Sequence, residues 1–327
     1  MHRSWQIHRH GAPRDALELV SSSQIPVPAH GEVVIRVQVA SLNFPDLLLC
    51  AGTYHHKPDL PFSPGLEAAG TVVSTAPGSR FDVGQRVITA PMRYGCFADH
   101  VRAQEDEVFP LPDTVSLEVG SCLFMAYQTA WVGLVRRGAL TAGESVLVLG
   151  GSGGVGIATI QVARALGARV IATGTTPQKR QACRDAGADV VVDPANADLV
   201  QQIRESSGGG VNLVFDVVGG RLAESSHRFM TVEGRHVVAG FASGDIPTFK
   251  GNLPLLKNQS IVGFRLQPFR ESSQYVNSVH QELLRLVNSG AIDPIVSCTL
   301  RFDDLPSGLE RLGSRQNIGK ICIGLES

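Results

Sequence analysis

From residue 146 onward, short aliphatic runs alternate with stretches whose apolar side chains recur at helical spacing. The runs at 146–150, 169–173, 189–193, 212–217, 235–240 and 260–264 read as strands. Between the first two, Ile157, Ile160, Val162, Ala163 and Leu166 mark a helix that stops at Gly167. A second helix is predicted over 177–186, closed by Gly187, and a third over 272–288 through Tyr275, Val279, Leu283, Leu286 and Val287. Strands alternating with helices predict a doubly wound, parallel, six-stranded α/β sheet. The first 115 residues follow another pattern. Runs at 31–39, 70–73 and 85–88, broken by proline and glycine, predict a partly open β-barrel. Pro110-Leu111-Pro112-Asp113 ends that unit, and residues 113–116 offer helix caps. Leu123, Ala126, Tyr127, Ala130, Trp131 and Leu134 then predict a helix over 121–138. After 290, short strand-like pieces return at 295–296, 301–302 and 320–323, so the tail is expected to complete the first domain.

The strand at 146–150 runs directly into Gly151-x-Gly153-x-x-Gly156. In that setting the pattern predicts a dinucleotide site: Gly151 for the tight turn, Gly153 for close approach of backbone to a pyrophosphate, Gly156 for packing of helix on strand. Ser152, Gly153, Gly154, Val155 and Gly156 are the expected cradle, because a helix N-terminus offers free N–H groups to an anion. An NAD-selective site places a carboxylate some twenty residues on. Here Thr173, Gly174 and Thr175 stand there, and no Asp or Glu occurs between Glu144 and Asp185. A carboxylate 4 Å from a 2′-phosphate would cost about 4 kcal/mol at intermediate dielectric. Its absence, with Lys179 and Arg180 nearby and Thr176-Pro177 opening a helix, predicts NADP(H).

Length and charge narrow the class. A chain of 327 residues implies about two domains, and 43% hydrophobic residues supply ample cores. A net charge of −1 with both signs scattered argues against nucleic acid or a membrane surface as partner. Six separated cysteines without a CxxC pair read as reduced thiols. The N-terminus has no apolar signal region and no run reaches membrane length, so a cytoplasmic protein is expected.

Several stretches together resemble one family. Leu42-Asn43-Phe44-Pro45-Asp46, Ala51-Gly52-Thr53-Tyr54, residues 64–70 (PGLEAAG), 146–156, Gly187-Ala188-Asp189, Phe215 to Gly220 and Gly319-Lys320-Ile321 are similar, in order and across nearly the whole chain, to the zinc-independent medium-chain dehydrogenase/reductases, in their NADPH:quinone oxidoreductase-like branch. The resemblance implies a GroES-like substrate domain (1–120 and 266–327), a Rossmann domain (121–265), a cleft where nicotinamide meets substrate, and a homodimer. It implies cofactor contacts from Thr129, Val218, Gly240, Phe241, Phe264, Arg265 and Leu266, and a substrate region around Asn43, Asp46 and Tyr54. Phe241 reads equally well as core, and Asp46 as a cap for the helix beginning at Leu47. Glu67 is expected to brace the loop between domains.

Zinc-using relatives carry a cysteine near the Asn43 position and a histidine where Leu66 stands; leucine has no donor atom. His55 and His56 read as rim residues. Without a Lewis acid, hydride delivery to an electrophilic quinone, enone or enal is favoured over alcohol oxidation. Tyr54, with an ordinary phenol pKa of about 10, suits the proton donor. Two alternatives stand beside this: an enoyl-thioester reductase, and an NADPH-binding sensor or structural subunit with little catalysis.

Overall fold

Residues 1–325 are described in the computed structural model, and they fall into two units. Unit two, Ala126–Pro294, holds a parallel sheet in the order Val190–Val192, Arg169–Thr173, Ser145–Leu149, Val211–Asp216, Met230–Val238, Ser260–Gly263. All six expected strands are present. The first in chain order lies mid-sheet, so the winding direction reverses between Ser145–Leu149 and Val211–Asp216, and ligands of such sheets bind beyond the strand ends there. Val146 to Leu149 and Leu213 to Phe215 are wholly buried, as apolar strands covered on both faces must be. The fifth strand starts earlier than its apolar pattern because Thr231 to Glu233 are at least partly exposed and Glu233 takes φ +58°, which interrupts the periodicity.

The helix following the first strand spans Gly154–Ala165, and the next spans Pro177–Asp185, with the Thr176 side chain accepting the Lys179 N–H at its start. Residues 266–294, expected in the first unit, belong to the second. Helix Ser273–Asn288 buries Val276, Val279, Leu283, Leu284 and Leu286, Gln128 Nε2 donates to Val276 O, and Gln161 Nε2 donates to Asp293 O. Those contacts tie the segment to the sheet's own helices.

Unit one comprises Met1–Met125 and the chain from Ile295 onward. Its sheet runs Val296–Arg301, Lys320–Gly324, Glu32–Ser41, Ala68–Thr75, Arg86–Thr89, Val108–Pro110, with His100–Gln104 also paired to Glu32–Ser41. The tail therefore inserts a strand beside the longest one, as the returning apolar pieces foretold. Ile35, Val37, Phe97, Val101 and Ile321 belong to its core.

The helix expected at 121–138 begins earlier, at Leu117, capped by Ser116 Oγ, and includes π-helical turns at Leu123–Gln128 and Val132–Arg137. Its small residues are a packing face: a Cβ on Gly133 would stand 2.4 Å from Phe215 Cε2. All six cysteines are free thiols, five of them buried. No helix of the described residues is long and apolar enough to cross a membrane.

Candidate active site

The glycine turn is built by exclusion of side chains. Gly150 takes φ +72° and makes the tight turn, a role the sequence pattern gave to Gly151. Gly151 has another reason to lack a side chain, since its Cβ would meet Ala172 Cβ at 2.9 Å and Cys183 Sγ at 3.0 Å. A Cβ on Gly156 would lie 2.2 Å from Gly150 O, so helix and strand meet there backbone to backbone. Gly153 is the open position, its nearest neighbour at 3.7 Å being Gly150 O. It precedes helix Gly154–Ala165 without a side-chain cap, and the first helical bond is Ile157 N–H to Gly153 O. The N–H groups of Gly154, Val155 and Gly156 lie ahead of that bond, at the positive end of the helix dipole. Ser152 is buried beside them.

Turns after the neighbouring strands are tied to this one. Thr173, 3% exposed, accepts the Gly150 N–H on Oγ1 at 2.9 Å and the Gly151 N–H on its carbonyl at 3.0 Å, so it shapes the glycine turn itself. Gly174 N–H bonds Val192 O, while Thr175 is exposed and Lys179 half-buried. Arg180 pairs with Asp193 at 2.6 Å and with Gly174 O, which commits its guanidinium to the protein. Val218 lies against Gly150: a Cβ there would meet Val218 Cγ2 at 2.7 Å. The loop of Gly240 and Phe241 continues into Ala242 and Ser243, whose N–H groups bond Val217 O and Val218 O. Phe241 is 39% exposed, which removes its reading as core. Phe264 N–H bonds Val238 O; Arg265 is exposed and Leu266 buried. Thr129 sits half-buried on the long helix. Expected cofactor positions at five strand ends are thus linked to one another by backbone hydrogen bonds and packing contacts along one rim.

Unit one carries a buried polar network. Glu67 is fully buried. Its Oε1 accepts from Ser41 Oγ at 2.5 Å, Asn43 Nδ2 at 3.0 Å and Lys320 Nζ at 3.0 Å, and its Oε2 accepts the Met125 N–H at 2.7 Å. Lys320 Nζ also donates to Leu42 O and Asn43 Oδ1. Burial disfavours the charge on Lys320, but the Glu67 carboxylate together with the nearby Cys122 and Cys322 sulfurs outweighs it and raises the ammonium's pKa. Asn43 and Asp46, expected around substrate, are 8% and 0% exposed, and together form the capping box of helix Phe44–Cys50. Asp46 Oδ2 accepts the Asn43 N–H at 2.8 Å, while Oδ1 is buried without a partner. Burial pushes the Asp46 carboxyl up to about 7, against the Asn43 N–H and Lys320, which favour its charge.

Tyr54 is different: half-buried after that helix, its ring lies 4.1 Å from His55 and its N–H bonds Leu48 O. His56 Nδ1 is 3.1 Å from Tyr94 Oη. Lys320 and Ser41 were given no role by sequence reasoning. One signal was available, a lone lysine heading the apolar run Ile321-Cys322-Ile323.

Two family models match the chain, "Alcohol dehydrogenase GroES-like domain" over 29–113 and "Zinc-binding dehydrogenase" over 154–288. Quinone oxidoreductase-like protein 2 of Bos taurus is 34% identical over 92% of this chain and 87% of its own length. The chain belongs to the zinc-independent medium-chain dehydrogenase/reductases, in the quinone oxidoreductase-like branch. Within that family, quinone oxidoreductase of Rattus norvegicus is 30% identical over 98% of this chain and 97% of its own. The Escherichia coli quinone oxidoreductase, solved in complex with NADPH, superposes with a TM-score of 0.91 at 28% identity, covering 98% and 99% of the two chains. The metal in the second model's name meets no matching donor set here: position 66 is a buried leucine, and among the described residues no group of three or more His, Cys, Asp or Glu is placed to hold a metal ion.

Proposed function

We propose that this protein is an NADPH-dependent oxidoreductase that delivers hydride to a quinone or to the β-carbon of an α,β-unsaturated carbonyl, without metal. The glycine turn carries the reading. Its open Gly153 face and uncommitted helix N-terminus suit a pyrophosphate, and the Thr173–Thr175 stretch presents no carboxylate to repel a 2′-phosphate. Lys179 is the residue assigned to that phosphate, since Arg180 is spent on Asp193. Thr129, Val218, Gly240, Phe241, Phe264, Arg265 and Leu266 are assigned to the nicotinamide half. When bound, the cofactor supplies the hydride; the chain orients it and excludes water. Tyr54 is the proposed proton donor. Asn43 and Asp46, enclosed in protein, cap the helix that precedes it rather than touch substrate. The protein is read as a cytoplasmic homodimer.

Absorbance assays with quinones, enones, enals and enoyl thioesters test the proposal, run on wild type and Tyr54→Phe with NADPH and NADH. Turnover of quinones or enones, a lower KM for NADPH, and a kcat reduced about 100-fold or more in Tyr54→Phe are expected. Preference for enoyl thioesters moves the assignment to an acyl reductase. Tight NADPH binding with no turnover of any acceptor makes the protein a sensor, and a preference for NADH removes the Lys179 assignment.

A further inference from the structure

Beneath the rim of the nucleotide unit lies a serine, a histidine and an aspartate, each essentially without solvent exposure. Asp216, the last residue of its strand, is 0% exposed, His236 0% and Ser226 1%. Asp216 Oδ1 accepts the N–H groups of Val218 at 2.8 Å and Gly219 at 2.9 Å. Its Oδ2 faces His236 Nε2 at 3.2 Å, and His236 Nδ1 lies 2.7 Å from Ser226 Oγ. A carboxylate only accepts, so Nε2 carries the ring proton; in the neutral ring Nδ1 then accepts from the Ser226 hydroxyl. Phe249 closes over the ring edge-on, with centroids 5.2 Å apart.

The three residue types are those of a hydrolytic triad, but the arrangement is the reverse of one. In a hydrolase the serine meets Nε2 and the carboxylate holds Nδ1, with the serine open to substrate. Here both partners are exchanged and the hydroxyl is sealed in. What the chain ends on is a turn of backbone. That turn has Val218 against Gly150, takes φ +75° at Gly219, and receives the Ala242 and Ser243 N–H groups on Val217 O and Val218 O. Displacing it shifts both the glycine turn and the Gly240–Phe241 loop.

We propose that His236 is a positioning residue for the cofactor: held in its Nε2–H tautomer by Ser226, it orients Asp216, which fixes the Val218–Gly219 turn against the dinucleotide-binding turn. The inference rests on the NADPH reading above but has a readout of its own.

The experiment is nitrogen-15 NMR of the full-length chain, combined with NADPH titration of His236→Leu, His236→Gln and Ser226→Ala. In wild type, the His236 ring is expected as the Nε2–H tautomer. In His236→Leu, the Val218 and Gly219 amide signals shift and Kd for NADPH rises about tenfold, the loss of one hydrogen bond to a charged group. The kcat at saturating NADPH stays within about twofold, because an orienting group acts on cofactor affinity and the chemistry is untouched. His236→Gln, whose amide can donate to Asp216, restores most of the affinity. Should His236→Leu fail to fold, Ser226→Ala keeps the ring in place and is expected to show the same amide shifts with a Kd raised about threefold. An Nδ1–H tautomer in wild type, or unmoved amides and Kd in the variants that fold, overturns the proposal. A wild-type chain that binds no NADPH overturns the cofactor reading instead, and the tautomer and amide shifts still decide the relay.

Discussion

At Gly150–Gly156 the groups that await a ligand are backbone N–H donors, brought together by residues close in sequence. Around Glu67 the polar groups are mainly side chains, drawn from positions 41, 43, 67 and 320, and they are satisfied by one another and by the backbone at Leu42 and Met125. The first centre is specified by what is missing, namely Cβ atoms at Gly151 and Gly156. The second is specified by charges that have no access to water. A backbone site tolerates change around it but not within it, whereas a buried ion pair fails when either partner is lost.

Substitution separates the two plans, and the largest effect is expected at the ion pair. Lys320→Met leaves Glu67 buried without its counter-charge and is expected to lower unfolding free energy by about 3–5 kcal/mol, read from denaturant midpoints. Lys320→Met combined with Glu67→Gln is expected to regain most of that loss; a double variant no better than the single one would mean that the pair is not the source.

Next comes Gly156→Ala, whose methyl meets a carbonyl oxygen rather than a side chain that could move. NADPH affinity is expected to fall about 30- to 150-fold, equivalent to about 2–3 kcal/mol of overpacking. Gly153→Ala supplies the contrast, since its methyl meets no protein atom closer than 3.7 Å. That variant should keep its melting temperature and still lose calorimetric heat with NADPH. If it binds as wild type does, the open face is not where the pyrophosphate goes.

The smallest effect concerns Asp46. Its carboxyl ionises near the ordinary value of 3.8 in the unfolded chain and near about 7 in the folded one. Between those values the folded chain holds a proton that the unfolded chain has released, so stability falls as pH rises through this window and levels off above it. Asp46→Asn is expected to flatten that slope and to be about 1–2 kcal/mol more stable than wild type at pH 8. Parallel pH profiles for the two proteins would contradict a buried, reluctantly ionised Asp46.

How much of this was legible in the chain follows from the same contrast. The six strands, the helix stops at Gly167 and Gly187, and the returning tail were readable because local periodicity and glycine placement encode them. The allocation of 266–294, and of 121–125 at the other boundary, went astray, as an amphipathic helix does not say which core receives its apolar face. The strand-end positions around the glycine turn came through motif and family likeness. Lys320 with Glu67, and His236 with Asp216, join residues 253 and 20 positions apart, and no local pattern marks such partners. For Asp46 the family resemblance pointed toward substrate and the local sequence toward a helix cap, and the cap is what the fold shows, on a helix that begins at Phe44.

The strand at Lys320–Gly324 also bears on how the protein is made. Residues 126–294 leave the ribosome as one continuous piece and can close their sheet without waiting for anything downstream. The earlier-made segment cannot finish, because its sheet lacks an inner strand, and an interior acid lacks its cation, until residue 320 has been synthesised. Birth order and completion order are therefore inverted: the portion translated first is the last to mature.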